Sequence, residues 1–353
     1  MKNIAQNVLF IILILFSSCS SIYRFSIEVQ EPAAITLPVS AQNVLILNNA
    51  TAQPIDYGIE RNFDGNPIPT DYPLSLDSMA WYAIEEISEV LGKSDFFNTV
   101  AVYNEQISEN NEWLSITHLS PDQQREFYDM GNFNALLVID RLLFSIQGNA
   151  KTIKSDIPSY EPVAFIDIRA DGIITCSMYT YGKENPVNTF NLRDSLIAKS
   201  MVYNDSTFLF KNIPEYLLNE LSCNLGAQTA KTFIPAWKKV DRYLFFSQNS
   251  RMREAVGYAA NHRWANAESI WLTQFERNIK PVEKAKIAYN LAIANEMQDK
   301  FESALELVIK AKEFLKNVNT VEYYREIEII DKYTIELSHR IQNNRLLDIQ
   351  WGR

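Results

Sequence analysis

Residues 135–141 read Ala135-Leu136-Leu137-Val138-Ile139-Asp140-Arg141. Five apolar residues in a row, closed by a charged pair, read as a strand covered on both faces, the pattern of a parallel sheet. Leu142–Ile146 carries the strand further. Working outward, Val44-Leu45-Ile46-Leu47, closed by Asn48-Asn49, is a second buried strand. Between the two, apolar residues at 76, 79, 80, 83, 84, 87, 90 and 91 recur at helical spacing, with Ser75 or Asp77 as cap and Gly92 as stop. Phe96-Phe97 and Val100–Tyr103 read as a strand, and Pro121–Met130 as a short helix behind Ser120. The stretch 51–73 holds four prolines and reads as a long loop.

After residue 160 the period changes. Val163–Tyr181 and Thr189–Ala198 read as strands, with turns expected at Asp171-Gly172 and at Tyr181–Pro186. Pro214–Phe233 carries a helical stripe through Leu217, Leu218, Leu221, Leu225 and Ala230, and Arg242–Phe246 returns as a strand. The expected fold is a mixed-sheet α/β domain over residues 43–246, parallel at its start and antiparallel at its end, with helices covering it. A mixed stretch, 19–42, leads into it as a tether; Phe25–Val29 alternates there like an edge strand.

A second domain is visible in the charge. Residues 19–244 hold 16 basic and 28 acidic residues, whereas 245–353 hold 16 and 15. All 13 prolines except Pro281 precede residue 245. Beyond it the 3.6-residue period dominates. Ala255, Trp264 and Ala267 recur as Ala292, Phe301 and Ala304, each 37 residues later. Small residues let paired helices approach, and an aromatic fills the space beside them. Trp271 belongs to the same pattern, Gln274 stands where the second unit has Ala311, and 320–343 supplies a capping helix. Residues 247–353 therefore resemble the tetratricopeptide repeat, an all-α helix–turn–helix array. That resemblance implies a protein-docking groove along the first helix of each unit, where Asn261, Tyr289 and Asn290 offer contacts.

The chain starts with Lys2 and an apolar run, Val8–Phe16, followed by Ser17-Ser18-Cys19. A nine-residue run is too short to span a bilayer and fits a secretory signal. The run, the two small residues and the cysteine resemble a bacterial lipobox, with Phe16 where Leu is usual. The resemblance implies cleavage after residue 18 and acylation of Cys19, the palmitate-bearing anchor. Ser20 in place of Asp points to the outer membrane, and the absence of an acidic cluster after Cys19 points to the periplasmic side. In an oxidising compartment Cys176 and Cys223 are a possible disulfide or two buried thiols.

Val44–Leu47, the helix 76–91 running into Phe97–Val102, and Pro235-Ala236-Trp237 together resemble the α/β domain of envelope proteins: the amino-terminal domain of TolB, the curli-secretion lipoproteins and the lipoprotein activators of peptidoglycan synthases. Pore-forming members of that group thread amphipathic hairpins through the membrane, and the charges at Asp167, Arg169, Asp171 and Lys183 do not fit that role. Signal, α/β domain and repeat tail together resemble a lipoprotein family of Bacteroidota, which brings no activity with it.

A formal charge of −10 disfavours nucleic acid as a partner. Only 10 glycines and three scattered histidines (His118, His262, His339) leave no phosphate loop and no zinc site. Glu60, Asn62, Asp64, Gly65 and Asp71 have calcium-loop offsets, but a solvated turn explains them better. Glu85 and Glu86 diverge on a helix, and Glu86 and Glu89 read as a solvated face. Asp140, at the end of a strand that can be parallel, is the best polar candidate, although a turn residue at the sheet edge is the simpler reading. Trp264 and Trp271 read as core wedges, and His118 as a loop residue. The sequence therefore implies no catalytic residue, metal or cofactor. It implies a non-catalytic, periplasm-facing outer-membrane lipoprotein that binds envelope proteins. The alternatives are a glycan or peptide hydrolase using carboxylates of the first domain, and a nutrient-uptake lipoprotein of the starch-binding type, which the α/β start disfavours.

Overall fold

The computed structural model describes residues 22–353 except 56, 68–74, 108–111, 154–162, 204–205, 248 and 278. The signal segment, Cys19 and Asp71 lie outside the described residues. In chain order the strands are β1 (Ile22–Glu31), β2 (Asn43–Asn48), β3 (Ile59–Phe63), β4 (Asn66–Pro67), β5 (Thr99–Gln106), β6 (Ala135–Ile153), β7 (Val163–Thr180), β8 (Asn188–Tyr203) and β9 (Ala236–Phe245). The helices are α1 (Met79–Gly92), α2 (Pro121–Asp129), α3 (Ser206–Lys231), α4 (Ser250–Ala260), α5 (Trp264–Phe275), α6 (Pro281–Glu296), α7 (Phe301–Leu315) and α8 (Tyr324–Trp351). They form two compact units. One comprises Pro32–Ala236 with Leu347–Arg353; the other comprises β1 with Trp237–Leu346.

The first unit is a seven-stranded mixed sheet. β2 lies between β5 and β6 and runs parallel to both, with Val44 opposite Val100 and Ala135. Helices cover both faces, so Val44–Leu47 and Ala135–Ile139 are uniformly buried. On one face Val44, Ile46, Ala135, Leu137 and Ile139 pack with Met79, Ala83, Ile84 and Ile87 of α1 and Leu218, Leu221 and Leu225 of α3. On the other, Leu45, Leu47, Leu136 and Val138 pack with Phe127 and Tyr128 of α2. α2 begins with a reciprocal cap: Gln123 N–H donates to the Ser120 hydroxyl, and Ser120 N–H donates to the Gln123 side chain. α1 begins after Ser78, whose side chain makes no cap bond; Ser75 bonds Asp77 instead.

The turn expected at Asp171-Gly172 does not form. β7 runs unbroken through it, with Gly172 between Phe144 of β6 and Asp194 of β8. A Cβ at Gly172 would lie 2.9–3.1 Å from Leu225 and Leu221 of α3, so the glycine admits a helix to the sheet rather than turning the chain. Gly226 plays the matching part between helices, where a Cβ would run into the carbonyl of Ala83 on α1. The Tyr181–Pro186 turn does form, joining β7 to β8.

The second unit holds α4–α7, α8 as far as Leu346, and a two-stranded sheet of β1 and β9. The segment read as a tether thus carries a ten-residue strand, and β9 keeps company with the helices. The helices pair as α4–α5 and α6–α7, and the 37-residue period extends to the turns. His262 and Asp299 both adopt left-handed φ, 57° and 58°. Just after them, Arg263 N–H donates to Tyr258 O and Lys300 N–H to Asn295 O, both at 2.9 Å. These are the same C-terminal capping turn built twice.

Candidate functional site

In the sheet unit the C-terminal edge of the parallel strands carries the one buried carboxylate among its described residues. β6 pairs Ile139 with Cys176 and Arg141 with Thr175, leaving Asp140 as the extra residue of a β-bulge. Asp140 is therefore no edge-turn residue: it sits inside a 19-residue strand at 3% exposure. Neither of its oxygens has a hydrogen-bond partner of good geometry. Burial pushes its carboxyl up to about 6, against the opposing pull of Ser177, His118, Asn49 and Arg141. None of these neighbours is a second carboxylate.

Residues 112–120 run beside it as a strap tied down by its neighbours. Asn49 Nδ2 donates to Thr117 O at 2.7 Å, and Arg141 Nη1 to Leu114 O at 2.7 Å. Leu119 N–H donates to the Tyr179 hydroxyl at 3.2 Å, which lies 3.3 Å from His118 Nδ1. Burial pushes the Tyr179 phenol up to about 12. This arrangement can store a proton; it lacks the paired carboxylates that glycoside cleavage uses.

In the helical unit a different constellation forms around Arg242 of β9. Its Nε and Nη2 hold both oxygens of Glu296 at 2.8 Å, and Nη1 reaches Glu336 at 2.9 Å. Arg340 also bonds Glu296. Burial opposes the charge on Glu296, but the Arg242 bonds outweigh it and hold the carboxyl below the usual range. The Arg242 guanidinium stacks 5.2 Å from the Tyr333 ring. Alongside lies a cleft of about 410 Å³, lined by Lys239, Asp241 and Tyr243 of β9, Tyr289 of α6, and one face of α8 that includes Arg325, Lys332, Tyr333 and Glu336. Sequence reasoning missed this network. Its signals were Arg242 heading an apolar run and Glu296 closing the apolar helix face 288–294; a charge on a buried face needs a partner.

The positions singled out from the sequence fall as follows. Ala255, Ala267, Ala292 and Ala304 are fully buried in one cluster, with Trp264 and Phe301 partly buried against it. Trp271 is fully buried there, and Gln274 is buried and accepts from Asn249. Asn290 does not face a groove, whereas Tyr289, although almost fully buried, reaches the cleft beside β9. The Asn290 amide accepts from Phe245 N–H at 2.8 Å and donates to Phe245 O at 2.6 Å, so it is spent on β9. Asn261 is exposed and bonds the Gly257 carbonyl, ending α4. Cys176 and Cys223 are free thiols. Asp64 and Gly65 turn the β3–β4 hairpin with positive φ at both residues, and the Asp64 carboxylate accepts from Thr152. Glu89 pairs with Lys93 on the surface. No group of residues suited to a metal ion occurs among the described residues.

A mixed sheet followed by paired helices defines the class of architecture, and comparison with known families also divides the chain in two, with β9 falling in the first match. Residues 41–245 match the model of a domain of unknown function, DUF8603, and residues 253–339 that of another, DUF6340. The first match covers more than half of the chain, which belongs to the DUF8603 family. No curated protein matches it. Among solved structures, the chain is similar to a minor lipoprotein from Acinetobacter baumannii, at 11% identity and a TM-score of 0.22 over 55% of this chain and 90% of that one. It is also similar to a hypothetical protein from Chlamydia trachomatis (13%, TM-score 0.22, 55% and 98%). A third is a protein of the DUF330 family from Xanthomonas campestris (12%, TM-score 0.23, 57% and 90%).

Proposed function

We propose that this chain is a non-catalytic lipoprotein of the cell envelope, anchored through Cys19 in the outer membrane, facing the periplasm, and acting as a protein-binding or assembly factor. The observation that carries the docking role is the cleft beside β9, a strand that among the described residues pairs with β1 alone. Unpaired strand edges next to a recess are places where proteins receive other chains. The anchor rests on the run Val8–Phe16 ending at Ser18-Cys19, and among the described residues no helix is long and apolar enough to cross a membrane. We read the paired helices as tetratricopeptide-like, on the repeated turn at His262 and Asp299. The test is site-specific crosslinking in the native envelope from position 239 or 241 of the full chain. A discrete adduct supports docking, and no adduct from either position removes it. Cys19→Ser should release the protein from the membrane fraction and abolish palmitate labelling; unchanged partition removes the anchor.

A second reading, an envelope hydrolase, is favoured by Asp140 alone, a buried carboxyl with raised proton affinity near His118. It predicts that Asp140→Asn abolishes turnover of peptidoglycan fragments by the purified chain.

A further inference from the structure

We propose that the helical unit seats on the membrane through an aromatic group at the start of β1, formed by Tyr23, Phe25 and Trp264, which lies in the headgroup layer of the leaflet holding the acyl chains of Cys19. The inference rests on the anchor reading above and adds the surface that meets the lipid. Only Ser20 and Ser21 stand between Cys19 and Ile22, where β1 begins. An extended chain advances at most about 3.6 Å per residue, so the three steps from Cys19 to Ile22 reach about 11 Å. The headgroup layer on each side of a bilayer is about 5–8 Å thick. β1 belongs to the helical unit, so a tether this short holds the first strand of that unit against the lipid.

The side chains at that start suit the place. Alternation puts Tyr23 and Phe25 on one face of β1 and Arg24 and Ser26 on the other. Arg24 and Ser26 are both bonded to Asp241 of β9. On the opposite face the Tyr23 and Phe25 rings stack at 6.1 Å, and Phe25 meets Trp264 of α5 at 5.6 Å. Phe25 and Trp264 are half-buried against the helical core, which fixes the group to the unit, while Tyr23 is its exposed outer member. Tyrosine and tryptophan pair an apolar body with a polar handle, and they gather where the hydrocarbon of a membrane gives way to water. Beside them, the Arg263 guanidinium lies 4.7 Å from the Tyr258 ring and makes no ion pair among the described residues, so its charge is available to lipid phosphates.

The start of α5 also sets which end of the helices is nearest the lipid. Glu268, in the second turn of α5, accepts from Asn295 and Gln298, so it lies beside the α6–α7 turn. α7 has 15 residues and runs away from that turn for about 22 Å. Val321 follows α7, is 86% exposed, and belongs to the far end.

Photocrosslinking of the acylated protein in vesicles of phosphatidylethanolamine and phosphatidylglycerol tests this. Benzoylphenylalanine replaces Tyr23 or Val321, and mass spectrometry reads the acyl chains before irradiation and any phospholipid adduct after it. Position 23 is expected to give a phospholipid adduct and position 321 none. Arg263→Glu in the chain probed at position 23 should lower that yield. An acylated chain that gives no adduct from position 23, or equal adducts from both positions, overturns the seat and leaves the anchor standing. A chain that carries no acyl group removes the anchor and the seat together. Unchanged yield in Arg263→Glu strikes Arg263 from the seat. Both probe positions are exposed, and an unchanged circular dichroism melt shows that the probe chains fold.

Discussion

Asp140 of the sheet unit and Glu296 of the helical unit are both withdrawn from water, at 3% and 0% exposure, yet their proton affinities move in opposite directions. Asp140 stands at a bulge with no hydrogen bond of good geometry on either oxygen, and burial raises it against the smaller pull of Ser177 and Asn49. Glu296 is gripped by Arg242 and Arg340, and the grip outweighs burial. Burial alone therefore does not predict the state of a carboxylate; the donors brought to it do. The difference also separates roles. A fully bonded pair is architecture, while a carboxylate kept dry and unbonded strains the fold and marks a place where the structure gives up stability.

The largest effect should come from breaking the grip. Arg242→Leu leaves Glu296 buried with Arg340 as its remaining ion-pair partner among the described residues, and removing one partner of a buried pair typically costs about 3–5 kcal/mol. Thermal unfolding of the full chain should show a transition lowered accordingly. Arg242→Leu combined with Glu296→Leu should recover much of the loss, because no orphan charge remains. A double variant as unstable as the single one would mean that shape, not charge, is what Arg242 supplies.

Next in size is the packing that holds α6, and with it Glu296, in place. Ala304 on α7 is fully buried. Ala304→Trp overpacks the α6–α7 pair and should cost about 1–3 kcal/mol. The lowered transition should appear in denaturant unfolding, while Asp140 in the other unit keeps its titration. A shift of that titration would show that the two carboxylates are coupled.

How much of this was legible in the sequence follows from what kind of signal each part emits. Periodicity announced α1, α6 and α7 and the buried strands β2 and β6, because burial on one stripe or on both faces leaves a pattern in adjacent residues. Gly172 misled, since a glycine admitting Leu221 and Leu225 of a distant helix looks identical to a glycine that turns a hairpin. Asp140 was visible as a strand-end residue, but the bulge that buries it arises from a register shift against β7, which no local pattern encodes. Glu296 finds Arg242 54 residues away, and only the misplaced charges hint at the contact. Asn290 was misjudged for the same reason: its partner is the backbone of Phe245, which has no sequence signature.

Relieving the strained carboxylate should stabilise the protein. The folded carboxyl of Asp140 sits at about 6, above the ordinary aspartate value of about 3.8, so its protonated form is the one the fold favours. Its contribution is fully present below about pH 4 and is lost as pH rises through about 6. Asp140→Asn removes the ionisation, and at pH 7 it should gain about 1–2 kcal/mol. Chemical denaturation from pH 4 to 7 should show wild-type stability falling through that window relative to the variant. A variant less stable than wild type at pH 7 would mean that the carboxylate is bonded after all.

The smallest change tests whether the strap keeps Asp140 dry. Ser120 caps α2 and ends the 112–120 strap, whose Leu119 and His118 meet Tyr179. Ser120→Ala deletes the cap, at a cost of about 1 kcal/mol. With the helix start loosened, the strap should open more often and water should reach the bulge. The Asp140 carboxyl, followed by carbon-detected NMR titration, should then move down toward the ordinary aspartate range, while Glu296 stays where Arg242 holds it. If stability falls but Asp140 does not move, the carboxyl is kept dry by the sheet itself, through Ser177 and the β6–β7 pairing, and the strap is a cover without a hold on its chemistry.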